Sequence, residues 1–187
     1  MEIRLEGDGT VSTPPDRSAT PLQLERRIPA DAPELGDSDQ GGGRGPVLHL
    51  ALSAHQRTSL RGRRRSSCGQ ELLLQLPRGP ALEPGERLLP LDGRVQVVVE
   101  PAPEPLLVVR SPDPLVLLQA AYHLGNRHVS LELRPGELRL LEDGVLEELM
   151  RQRGLLIEHQ LAPFLPEPGA YAITSHSHSH SHEGPRH

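Results

Sequence analysis

Three prolines within five residues, Pro101, Pro103 and Pro105, constrain this 187-residue chain more than any other stretch. Proline fixes φ and has no N–H, so such a run cannot continue a central strand or a helix and reads as a semi-rigid linker. It divides the chain into two small domains. Before it, runs at 47–52, 71–77 and 94–99 carry β-forming patterns, and Pro80, Pro84-Gly85 and Asp92-Gly93 supply turns at short intervals. Several short strands with close turns indicate a small all-β domain over residues 46–100.

After the linker, residues 106–110 read as a strand. Asp113 caps and Pro114 starts a helix running to Leu124, 129–133 alternates as a strand, and Pro135-Gly136 turns the chain into 137–141. Asp143 caps a second helix closed by Gly154, and 155–159 forms the last strand. The order β-α-β-β-α-β is that of ferredoxin-like folds, expected here over residues 105–171. Residues 1–45 mix Thr13-Pro14-Pro15 and Gly41-Gly42-Gly43 with many charges, which predicts a mostly disordered extension with a first strand at 22–28. Residues 172–187 are a low-complexity tail, expected to be mobile.

The cores must be built from Leu, Val and Ala, because the chain has no Trp, one Phe and two Tyr. Small domains of that kind are marginal alone, which favours oligomerisation. A net charge of −5 argues against nucleic acid as a general partner, and the basic run 61–65 is local. One cysteine, Cys68, allows no intrachain disulfide and suits a reducing compartment. No stretch has the roughly 18 apolar residues of a membrane span, and the first twenty residues lack the basic start and apolar run of a signal peptide. A cytoplasmic location follows, with no membrane partner.

Histidine carries the chemistry. Residues 121–128 end the first helix, with Gly125-Asn126 expected in the left-handed conformation that closes it and His128 beginning the next segment. His123 and His128 are five apart, so they do not share a helical face and one chain offers no two-histidine clamp there. Alone, a histidine at a helix end is more often a cap or a surface residue. The far end of the chain shifts that balance: His176, His178, His180 and His182 alternate with serine, and His187 is last. A segment carrying several imidazoles can fold around one ion. A purification tag would have the same composition, but here serines intervene and Glu183-Gly184-Pro185-Arg186-His187 follows.

The run Tyr122-His123-Leu124-Gly125-Asn126-Arg127-His128 resembles the signature of the urease accessory protein UreE family of nickel metallochaperones. The likeness extends to 76–79, Pro135-Gly136-Glu137-Leu138-Arg139, Val145-Leu146, Pro163-Phe164 and 166–171, covering about 47–171. It implies a homodimer with the metal held at its interface by His128, and a β domain that engages protein or peptide partners. Those partners include the accessory GTPase UreG and the urease apoprotein complex under maturation. It also implies Ni²⁺ as cargo, with Zn²⁺ and Cu²⁺ competing for the same imidazoles. One histidine per chain cannot hold a divalent ion firmly, and a twofold axis through His128 would supply its copy.

Many members carry further histidines after Pro-Gly-Glu-Leu-Arg, whereas here Leu140-Leu141-Glu142-Asp143-Gly144 follows, so an auxiliary site there is expected to be absent or reduced to carboxylates. His123 and His159 stay candidates for accessory roles. A metal hydrolase would need an HExxH motif, a nucleophile elbow or carboxylates around His128, and the chain has none; it also has no phosphate-binding loop. The alternative to a carrier is a passive histidine-rich metal buffer, in which the tail matters and His128 does not.

Overall fold

The computed structural model describes residues 20–32 and 45–168. Expectations for the rest of the amino-terminal extension and for the tail, including His176, His178, His180 and His182, lie outside the described residues. The chain forms two compact units that meet between Ala102 and Pro103.

The first unit contains β1 (Leu22–Leu24), β2 (Arg26–Ile28), β3 (Val47–Leu52), α1 (Ala54–Arg57), β4 (Arg61–Arg65), β5 (Glu71–Gln75), β6 (Arg87–Leu89) and β7 (Gln96–Pro101). Two sheets form, with strand orders β1-β5-β4 and β2-β6-β7-β3. Alternation puts Leu72 and Leu74 of β5 and Val97 and Val99 of β7 inside, where they join Leu24, Leu50, Leu52, Leu76, Leu82 and Leu88 in one aliphatic core. The single strand expected at 22–28 is in fact two. The chain breaks at Glu25, whose N–H donates to the Leu89 carbonyl (3.0 Å), so β1 pairs with β5 and β2 with β6 in different sheets. Nor is the unit purely β. After β3, Ser53 and Gln56 form a reciprocal capping box around the single turn of α1.

The second unit contains β8 (Pro103–Arg110), α2 (Pro114–Gly125), β9 (Glu132–Arg134), β10 (Glu137–Leu141), α3 (Gly144–Gln152) and β11 (Leu156–Pro163). Its sheet has the order β11-β8-β10-β9 with every pair antiparallel. Leu107, Val109, Leu138 and Leu140 face Ala120 and Leu124 of α2 and Met150 of α3 in the core. The helix starts follow the sequence. Asp113 accepts from the Leu115 N–H (2.8 Å) with Pro114 at the first turn, and Asp143 accepts from the Val145 and Leu146 N–H groups (2.8 and 3.0 Å).

The proline run is strand, not linker. Pro101 ends β7, while Pro103 and Pro105 sit in β8 opposite Pro163 and Leu161 of β11. The Pro105 carbonyl accepts from the Glu142 N–H (3.0 Å), so in the alternating backbone the nitrogens of Pro103 and Pro105 face the β10 side. Strand β10 pairs β8 only at Leu106–Arg110, so no ladder bond is demanded of either proline.

Candidate functional site

The end of α2 is built differently from the expectation. Asn126 stays right-handed at φ −63°, and the left-handed residue is His128, at φ 57°. Among the described residues it is the one non-glycine with positive φ. The His128 N–H donates to the Gly125 carbonyl (2.9 Å) and the Val129 N–H to the Leu124 carbonyl (3.1 Å). These are the two bonds of a Schellman ending, with His128 at the position glycine normally holds. Val129 packs against the core to which buried Leu124 belongs, on the side where the motif places its apolar contact. The cap thereby holds the His128 backbone rigidly while leaving the residue exposed.

The strand expected at 129–133 begins only at Glu132, and its acid is buried. Glu132 is 5% exposed and Leu133 51%. Leu131 and Leu133 keep the expected core side, Leu131 against the core and Leu133 opposite Leu138 on the edge strand, while Glu132 lies opposite Arg139 on the other face, which nothing local marks as covered. The Glu132 carboxylate accepts from Arg134 Nε (2.5 Å) and from the Leu165 N–H (2.8 Å). The Glu167 N–H donates to the Leu131 carbonyl (2.7 Å). The last described stretch of chain is therefore fastened three residues beyond His128.

Helix α2 differs from α3 in its outer face. Leu115, Leu118 and Tyr122, spaced i, i+3, i+7, are 58%, 66% and 67% exposed, while Val116, Leu117, Ala120, Ala121 and Leu124 supply the inner face. On α3 the first outward position, Val145, is apolar, but those that follow, Glu148, Arg151 and Gln152, are polar or charged. A helix apolar on both sides is built to be covered on both.

The two other described histidines of this unit have partners of their own. His123 lies edge-on to Tyr122, with ring centres 5.5 Å apart. His159 on β11 is bracketed by two carboxylates, Nδ1 at 2.6 Å from Glu142 and Nε2 at 2.9 Å from Glu147, which also pairs with Arg151. Hydrogen bonds to Glu147 and then Glu142 push its pKa above the ordinary histidine value. Sequence reading missed this trio because Glu142, Glu147 and His159 come from three separate elements. Among the described residues, no group of three or more His, Cys, Asp or Glu is placed to hold a metal ion. His128 therefore offers one imidazole from one chain.

The carboxy-terminal domain of the UreE urease accessory protein matches residues 104–187 as a family model. The urease accessory protein UreE of Synechococcus sp. (strain WH7805) is 60% identical over 124 residues, 66% of this chain and 71% of that protein. This chain belongs to the UreE family. The UreE of Synechococcus sp. (strain CC9311) is 54% identical over 131 residues, covering 70% and 84% of the two chains. That of Pseudomonas putida (strain GB-1) is 45% identical over 127 residues, covering 68% and 77%. The UreE family is one of accessory proteins acting in urease maturation, not of enzymes. No helix among the described residues is long and apolar enough to cross a membrane.

Proposed function

We propose that this chain is a nickel metallochaperone that carries Ni²⁺ between two copies of His128 and delivers it to apo-urease during assembly of the urease active site. The observation that carries the reading is the backbone of His128. A histidine in the left-handed region costs about 1–2 kcal/mol that glycine would avoid, and strain of that kind persists where the side chain has a task. The cap fixes where the imidazole begins, so a second copy related by a twofold axis can present its ring to the same ion. The apolar outer face of α2 supports that homodimer, because it runs along the helix that ends at His128 and would be covered by its own copy.

The second unit is then a ferredoxin-like metal-binding and dimerisation domain. The first unit engages protein partners, the GTPase UreG and the urease apoprotein complex, in the cytoplasm. Its apolar groove of about 530 Å³, lined by Pro21, Leu22, Pro46, Leu48 and Val95, is wide enough for a peptide segment. His176, His178, His180 and His182 add ligands, either to the shared ion or for further ions, and Zn²⁺ and Cu²⁺ compete with Ni²⁺ at imidazole. The deciding assay is urease activation at limiting Ni²⁺. His128→Ala should keep tail-bound nickel but lose most activation, whereas removal of 174–187 should lower the ions bound per dimer and leave one interface ion and most activation. Normal activation by His128→Ala alongside failure of the truncated chain would leave the passive-buffer reading standing.

A further inference from the structure

We propose that the open edge of β4 is a docking surface for an acidic, extended segment of a protein partner, whose carboxylates Arg61, Arg63 and Arg65 bind. The inference rests on the reading above that the first unit engages protein partners, and it names the chemistry one of them must present. Among the described residues β4 pairs with β5 alone and is an edge of its sheet. The Leu76 N–H donates to the Leu60 carbonyl (3.1 Å) and the Ser66 N–H to the Gln70 carbonyl (3.0 Å), in the register that sets Gly62 opposite Leu74 and Arg64 opposite Leu72. Backbone direction alternates along a strand, so Gly62 and Arg64 face β5, while the N–H and C=O groups of Arg61, Arg63 and Arg65 face the open edge. The side chains of those three residues are exposed on one face, about 6.8 Å apart.

Charge makes this edge selective. Residues 20–32 and 45–102 carry ten arginines and seven carboxylates in a chain of net charge −5, so the cationic excess is local to this unit. Glu71 accepts from Arg65 Nε (2.9 Å), but among the described residues no carboxylate pairs with Arg61 or Arg63. Directly across on β5 they face Gln75 and Leu73, which cannot neutralise them. Edge strands are commonly blunted with charge, but that purpose needs no cation at every open position, and like charges on one face repel. A second copy's β4 would set arginine against arginine, so the row selects against self-pairing. An extended chain with a carboxylate at every second residue fits instead. It has the same two-residue repeat, its backbone can pair with the open groups, and guanidinium takes carboxylate as a two-pronged fork. The Arg64 guanidinium folds back past Gly62, at φ 121°, and Nη1 donates to the Arg63 carbonyl (2.8 Å). A carbonyl has two lone pairs, so that bond leaves room for a second donor.

The test titrates the full chain with three probes: an octapeptide of alternating Glu and Thr, an octapeptide of the same composition with its glutamates in one block, and single-stranded oligothymidylate. Amide shifts and amide exchange along β4 are followed by nuclear magnetic resonance. With the alternating peptide at about twice its Kd, exchange at Arg61, Arg63 and Arg65 should slow roughly three-fold, while Gly62 and Arg64, already paired with β5, stay as they were. Arg61→Gln combined with Arg63→Gln should weaken binding roughly two- to thirty-fold. Arg153→Gln, which removes an exposed arginine of the second unit, should not. Equal binding of the two peptides, or binding without protection of the three amides, would mean diffuse charge attraction and overturn the proposal. No binding would overturn it too, leaving the arginines as edge protection only, and tighter binding of the oligonucleotide would assign the row to nucleic acid instead. If the double variant fails to fold, Arg61→Gln alone decides by the same comparison with Arg153→Gln. Failure of the wider partner reading is separate: it would appear as no capture of the GTPase or of the urease apoprotein complex by the parent chain, with the alternating peptide still bound.

Discussion

Replacing His128 with glycine should make the metal-free protein more stable and, on the proposed carrier reading, abolish Ni²⁺ binding at the interface. The residue sits at φ 57° in the Schellman ending of α2. Relief of the left-handed strain is worth about 1–2 kcal/mol, and the greater freedom of glycine in the unfolded chain takes back about 0.4–1 kcal/mol. The imidazole is exposed and accepts or donates no side-chain bond among those described, so little packing is lost. The net expectation is a gain of about 0.5–1 kcal/mol. In a unit of this size that corresponds to roughly 2–8 °C in its melting temperature. His128→Ala retains a Cβ in the left-handed region and should leave the midpoint near that of the parent. Scanning calorimetry of the full chain in chelator, followed by Ni²⁺ titration of the same samples, measures both halves. A lower midpoint for His128→Gly with the fold intact would refute the cap geometry. Undiminished interface binding of Ni²⁺ by either variant would refute the site.

Three further outcomes follow from separate parts of the structure. His159 has a raised pKa because Glu147 and Glu142 favour its charged form, so its stabilising contribution is full below the unfolded value of about 6.5 and is lost as pH rises through the higher folded value; the difference in urea midpoint between the parent and His159→Gln should shrink over that window, and a difference that grows with pH would contradict the bracket. Leu118→Glu, which places a charge on the exposed apolar face of α2, should leave the circular dichroism unchanged but shift sedimentation from dimer to monomer at micromolar concentration; a persistent dimer would move the interface elsewhere. Asp143→Ala removes the acceptor for two amides at the start of α3 and should cost about 1 kcal/mol, read as a lower denaturation midpoint, with no loss indicating that water replaces the cap fully.

What the sequence determined by itself was set by short-range physics. Asp113 with Pro114, Asp143, and Gly154 at φ 76° mark helix ends because each acts on backbone groups within a few residues. The periodicity of 137–141 and of both helices is local in the same sense, and the run ending in His128 was enough to single out the residue. Tertiary structure decided what depends on distant neighbours. Pro103 and Pro105 are admitted to β8 because β10 stops short of them. Residues 22–28 divide between two sheets because their partners, β5 and β6, lie some fifty or more residues away. Glu132 keeps the face opposite the core that alternation gives it, beside Arg139, but is buried there because the chain returning at Leu165 covers that face and, with Arg134, satisfies the carboxylate. The left-handed backbone belongs to His128, not to Gly125 or Asn126, because the turn is made where the Val129 N–H closes on the Leu124 carbonyl with Val129 against the core.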